Sequence, residues 1–209
     1  IEVDGIPVFS GNKTGIDTIK PDNYTVVGNP TISDAGVASN FSTSDYIAIT
    51  NILPTETGHT YRFNGTTSIS TTNLSTTEYV FSFNVMTNLG SNVFGLYYRD
   101  TGVFGIVVSD GTYNTIYNSN FSFEANTTYS YELETDLNTF VKLYIDNELI
   151  LSQNLSYSDI HPYNGTLKFG VYNSGDEPNL PLTDGSIDLN AFKIYVDGNL
   201  VYQPCLKIP

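Results

Sequence analysis

Thr127–Ile150 reads TTYSYELETDLNTFVKLYIDNELI, and its alternation decides the fold class. Apolar and polar residues alternate with a period of two along Thr127–Asp136 and again along Thr139–Asp146. That period marks strands with one face in a core, here joined as an antiparallel hairpin. Tyr129, Tyr131 and Leu133 face inward, answered by Val141, Leu143 and Ile145. Glu132, Glu134 and Asp136 fall on the opposite face, with Lys142 across the hairpin. Asn147-Glu148 turns into a further strand, Leu149–Leu155.

The same pattern extends outward in both directions. Upstream, Phe81, Phe83 and Val85 share one face of Glu78–Thr87, and Phe94, Leu96 and Tyr98 share one face of Asn92–Arg99. Asp100-Thr101-Gly102 reads as a turn. The next strand, Val103–Val108, is apolar on both faces and is expected to be central. Asp110-Gly111 is a hairpin signal. Downstream, Leu167–Tyr172 and Ile187–Val196 complete the strand set. No stretch of ten residues carries helical spacing with caps, although Asp17–Asp22 and Tyr157–Ile160 leave room for short helical turns.

Composition agrees. The 209 residues include 25 Thr, 16 Tyr and 12 Phe, which suit strands, and 22 Asn and 19 Ser, which suit turns. Aromatics at 13% supply a core and argue against disorder. The formal charge of −14 argues against nucleic acid and anionic membrane as partners. No apolar run approaches the ~20 residues that span a bilayer, and membrane insertion is not expected. Cys205 is the only cysteine, so neither an internal disulfide nor a cysteine-based zinc site is expected. The chain starts at Ile1 rather than Met and reads as a processed or excised piece.

One internal repeat stands out. Ile1–Phe9 (IEVDGIPVF) matches Ile194–Tyr202 (IYVDGNLVY) at an offset of 193 residues, with Ile, Val, Asp, Gly and Val identical. The expected organisation is therefore residues 1–15 as the terminal hairpin of a preceding unit or an N-terminal edge strand, 16–203 as one domain, and 204–209 as a tail. Two similar Asp-Gly hairpins would be the plainer explanation.

Several stretches resemble the concanavalin A-like, laminin G-like jelly roll. Thr127–Ile150 is similar to that family's central hairpin, with "LYIDN" in place of "LYVDG". "LKFGVY" (Leu167–Tyr172) is similar to its short penultimate strand. "GSIDLNAFKIYVDGNLVY" (Gly185–Tyr202) is similar to its closing segment, and Gly36–Ile49 to its first core strand. The chain departs from the pattern in having Tyr129 where the family often has Trp, no Trp anywhere, and Asn147 in place of the turn Gly. The resemblance implies an all-β jelly-roll sandwich of two antiparallel sheets. The terminal repeat, acidity and Asn/Thr/Ser-rich strands also resemble virion-attached proteins of bacteriophages, which carry such domains on tails or fibres.

Candidate chemistry follows from these faces. Glu132, Glu134 and Asp136 resemble the carboxylate strand of laminarinase-type hydrolases, whose retaining chemistry needs two carboxyls ~5–5.5 Å apart. The middle residue here is Glu rather than Asp, and a solvated face balanced by Lys142 explains the set without catalysis. His59, just before a strand, and His161, in a turn-like His161-Pro162 stretch, read as surface residues with no Ser-His-Asp spacing. Asp100, Asp110, Asp176-Glu177, Asp184 and Asp197 lie in turns, where laminin G-like domains often hold a calcium ion at a loop rim; Asp favours turns unaided and no dense Asp-x-Asp-x-Asp loop is present, so no metal or cofactor is expected. The nine Asn-x-Ser/Thr triplets follow from composition. Tyr97, Arg99, Asp100 and Tyr113 form the most ligand-like group, since an outward Tyr97 ring would stack on a sugar while Arg99 and Asp100 hydrogen-bond it.

The expectation is a non-enzymatic, surface-exposed module of a phage virion or bacterial cell surface, with no catalytic residue. Its partner would be a glycan or a neighbouring surface protein, in a tandem or homo-oligomeric assembly. A carbohydrate-active hydrolase using Glu132 and Glu134, and a ligand-free spacer, are the alternatives.

Overall fold

The computed structural model describes residues 2–3, 6–7, 24–87, 90–109, 114–174 and 177–203. The Asp110-Gly111 turn, Tyr113, Asp176, Cys205 and the Asp17–Asp22 segment lie outside the described residues.

The strands in chain order are β1 (Glu2–Val3), β2 (Ile6–Pro7), β3 (Tyr24–Val27), β4 (Thr31–Ile32), β5 (Val37–Ser39), β6 (Tyr46–Ile49) and β7 (Tyr61–Ile69). Then come β8 (Glu78–Thr87), β9 (Gly90–Tyr98), β10 (Val103–Ser109), β11 (Asn114–Ser122), β12 (Thr127–Thr135) and β13 (Phe140–Ile145). The last are β14 (Glu148–Asn154), β15 (His161–Phe169), β16 (Tyr172–Ser174), β17 (Glu177–Asn179), β18 (Gly185–Val196) and β19 (Asn199–Tyr202). No helix occurs among the described residues, so none is long and apolar enough to cross a membrane.

Two antiparallel sheets form a sandwich. One has the order β11-β10-β9-β8-β15-β6-β3, the other β14-β13-β12-β7-β18-β5-β4, with β19 paired to β18. The chain crosses between sheets at β3–β4, β5–β6, β6–β7, β7–β8, β11–β12 and β14–β15, and again from β15 to β18 by way of the β16–β17 hairpin. Every inward position of β12 and β13 named from the alternation is buried, and the register pairs Tyr131 with Ile145 and Leu133 with Leu143. The core is aromatic. Phe63 of one sheet packs on Phe81 and Phe83 of the other at 5.2 and 5.5 Å between ring centres, and Phe169 meets Phe192 edge-on at 4.6 Å. Such ring pairs add about 0.5–1.5 kcal/mol each to their area burial.

Four local expectations are corrected. Gly36–Ile49 is two strands in different sheets, because Asn40 takes a positive φ and Ser42–Asp45 closes a turn. Leu167–Tyr172 breaks at Gly170, where φ is +75°. His161-Pro162 begins β15 rather than a turn, and Tyr157–Ile160 forms no helical turn.

Candidate ligand-binding face

Tyr97 lies on the outer face of the seven-stranded sheet, as the alternation requires, yet it is 1% exposed. The segment after Gly170 folds back over that face. Gly170 N–H donates to the Val80 carbonyl and Tyr79 N–H to the Leu180 carbonyl, and the β16–β17 hairpin sits between these ties. Tyr79 packs on Tyr97 at 5.2 Å and Tyr172 on Tyr79 at 4.8 Å. With Val93, Val107 and Leu180 they form a small second core outside the sandwich. The Tyr97 hydroxyl donates to Asn118 Oδ1 at 3.3 Å, and burial pushes its pKa up to about 12. A Cβ on Gly105 would stand 2.4 Å from the ring, so only glycine leaves room for Tyr97 on the neighbouring strand. The expected open sugar platform at Tyr97 is therefore corrected, because a third layer that local alternation does not encode covers the ring. Arg99 and Asp100 occupy an exposed turn, with Arg99 Nε 3.7 Å from Asp100 Oδ1. Tyr113 lies outside the described residues; of the other three, Tyr97 is sealed and only Arg99 and Asp100 reach solvent.

The outer face of the eight-stranded sheet is open. Its registers align Tyr144, Glu132, Asn64 and Lys193 across β13, β12, β7 and β18. A second line, two residues along, holds Lys142, Glu134, Arg62 and Tyr195. All eight side chains are half-buried. Glu132 accepts from Asn64 Nδ2 at 2.8 Å, and Lys142 Nζ stands 3.7 Å from Glu134 Oε2. The Arg62 guanidinium lies 4.2 Å over the Tyr195 ring. Asn64 Oδ1 and Arg62 Nε have no protein partner although both atoms are shielded, so hydrogen-bonding capacity on this face is unused.

Two local devices shape this face into a cleft. In β18, Asp188 pairs with Thr66 and Lys193 with Asn64, so Leu189–Phe192 bulge opposite the single residue Gly65. Asp188 Oδ1 holds the bulge by accepting from Asn190 N at 2.9 Å and Ala191 N at 3.3 Å. On the other side, Asp146 and Asn147 both take positive φ, the geometry of a type I′ turn that Asp and Asn tolerate. Asp146 Oδ1 accepts from both Ser130 N and Ser130 Oγ at 2.9 Å, tying the turn to β12. Between bulge and turn lies an open cleft of about 440 Å³, lined by Asn64, Glu132, Tyr144, Asn147, Lys193 and Tyr195 among others.

Of these residues, the sequence pattern singled out Glu132 as a carboxylate candidate and Asn147 only as a turn variant. The rest come from three strands, β7, β13 and β18, and only the pairing order unites them with β12. His59 is likewise more than a surface residue: its Nδ1 lies 2.7 Å from Asp197 Oδ2. Asp197 Oδ1 also accepts from Thr60 N at 2.9 Å. These backbone and histidine hydrogen bonds hold the Asp197 carboxyl below the usual carboxylate range. Among the described residues no three His, Cys, Asp or Glu side chains converge as a metal site.

Comparison with known proteins yields no matching family model and no matching curated protein. Solved structures do match. A botulinum neurotoxin serotype D ligand-binding domain, in complex with N-acetylneuraminic acid, superposes with a TM-score of 0.61 at 17% identity, over 82% of this chain and 42% of that one. The serotype G binding domain gives 0.60 at 14% identity, over 85% and 43%. A type C neurotoxin structure, described as entering cells through interaction with two ganglioside molecules, gives 0.59 at 14%, over 82% and 42%. The chain thus spans less than half of each of these structures, and the likeness is one of fold: a β-sandwich of two antiparallel sheets.

Proposed function

We propose that this chain is a non-enzymatic, concanavalin A-like glycan-binding module that holds an oligosaccharide across the outer face of its eight-stranded sheet. The carrying observation is the line Tyr144–Glu132–Asn64–Lys193 inside the open cleft, with Tyr195 beside it. Sugars present apolar faces edged by hydroxyls, and this face offers tyrosine rings beside carboxylate, amide and ammonium groups. Three inter-strand spacings span roughly 14 Å, which suits a chain of sugars better than one ring. Similarity to neurotoxin domains described with N-acetylneuraminic acid and gangliosides supports a glycan partner. The proposed setting is the surface of a phage virion, on a tail or fibre, or of a bacterial cell. The phage-like composition and terminal repeat support it.

Single-site affinity is expected on the order of 0.1–1 mM, or about −4 to −5.5 kcal/mol, raised ~10²–10⁴ by multivalent display. The test is a glycan array read with multimerised protein. Wild type should bind, Tyr144→Ala and Lys193→Ala should not, and Arg99→Ala should bind as wild type. Loss confined to Arg99→Ala would move the site to the Arg99–Asp100 turn. Release of reducing sugar that disappears in Glu132→Gln would replace binding by hydrolysis.

A further inference from the structure

The two matching segments are both hairpins, and they have the same register. Val3 pairs with Ile6 and Glu2 with Pro7. At the far end Val196 pairs with Asn199 and Tyr195 with Leu200. Shifting the first pairs by the 193-residue offset reproduces the second.

The pattern of identity follows the structural roles of the second hairpin. Ile194 and Val196 are fully buried, Val201 packs against the core, and Tyr202, matched by Phe9, is 2% exposed. Asp197 and Gly198 make the turn with φ of +50° and +77°. Asp197 also ties that turn to His59 and Thr60, by its side chain and through its own N–H to the Thr60 carbonyl. The positions that differ are Tyr195, Asn199 and Leu200, whose side chains face outward and are half-buried or exposed. Pro7 replaces Leu200 on a strand that pairs on one side only, where proline is tolerated. An unrelated Asp-Gly hairpin would share the turn, but it has no reason to reproduce the residues that fill this core.

We infer that Ile1–Phe9 is the closing hairpin of a preceding copy of this same unit, joined in one polypeptide with a repeat of 193 residues. The partner of each unit is then another copy of itself in series.

Two measurements test this. Peptide sequencing of the polypeptide from its source should find, ahead of Ile1, a strand like β18. Apolar residues should stand two, five and seven positions before Ile1, as Phe192, Leu189 and Ile187 stand before Ile194. A mature chain starting at Ile1, or an upstream segment without that spacing, overturns the inference. The second measurement transplants the first hairpin onto the second through Tyr195→Glu, Asn199→Ile, Leu200→Pro and Tyr202→Phe together. The Tm should stay within about 5 °C of wild type, against a much larger fall for the core change Val196→Ser alone. A fall equal to that of Val196→Ser shows that the hairpins are not interchangeable and overturns it too.

Discussion

The two outer faces of the sandwich treat their tyrosines in opposite ways. On the seven-stranded sheet Tyr79 and Tyr97 point away from the core and are nonetheless sealed beneath the segment that follows Gly170. On the eight-stranded sheet Tyr144 and Tyr195 point away from the core and stay accessible beside a cleft. Strand alternation says only which side of a sheet a residue takes. Whether that side meets solvent depends on what the rest of the chain lays over it.

The sharpest way to break this contrast is to truncate one tyrosine on each face. Tyr97→Ala should cost about 3–5 kcal/mol, as for other buried aromatics, and lower the Tm by roughly 10 °C. A melt unchanged from wild type would mean the ring is not sealed. Gly105→Ala attacks the same packing from below, since its methyl group would overlap the Tyr97 ring. It should destabilise by about 1–3 kcal/mol, and Gly105→Ala combined with Tyr97→Ala should cost less than the sum of the two. Tyr144→Ala should change stability by less than about 1 kcal/mol, while weakening glycan binding at least tenfold, about 1.4 kcal/mol. Equal melting losses for Tyr97→Ala and Tyr144→Ala would erase the distinction between the faces.

Titration should show the smallest difference. Glu78 of β8 is buried, and desolvation outweighs the hydrogen bonds from Thr183 Oγ1 at 2.6 Å and Asp184 N at 3.0 Å, so its pKa is raised. A raised carboxylate opposes folding when charged, and that penalty is relieved as pH falls through its folded value. Asp136 and Asp197, at turns of the other sheet, go the opposite way. Burial raises Asp136, but hydrogen bonds from Thr139, Phe140 and Asn138 outweigh it, and Asp197 is lowered by Thr60 and His59. Their support is present above the unfolded carboxylate value near 3.9 and is lost as pH falls below it. Thermal melts should therefore show a slight gain on mild acidification and a loss below about pH 4. Asp197→Asn should blunt only the acid loss; a variant that also removed the earlier gain would contradict this assignment.

The parts legible in the sequence are those set by local periodicity. The β12–β13 hairpin, its inward residues and the Glu134–Lys142 pairing across it all follow from a period of two and one turn. The cleft did not follow, because Asn64, Glu132, Tyr144 and Lys193 are neighbours only through the order β13-β12-β7-β18. That order depends on long-range pairing. The cover over Tyr97 was invisible for a related reason: β16 and β17 have three residues each, too few to show a period.

The distribution of tyrosines gives the molecule an optical readout of its own. With 16 Tyr and no Trp, the long-wavelength end of the near-ultraviolet absorbance, beyond the phenylalanine bands, and the emission excited there report tyrosine. Burial raises the pKa values of Tyr79, Tyr98 and Tyr131 above the ordinary phenol value, and that of Tyr97 to about 12. In alkali these sealed rings stay protonated until the fold opens, so the tyrosinate band should rise in a late, cooperative step that marks unfolding. A Trp introduced at Tyr144 would be the sole indole in the chain, a fluorophore looking directly onto the cleft.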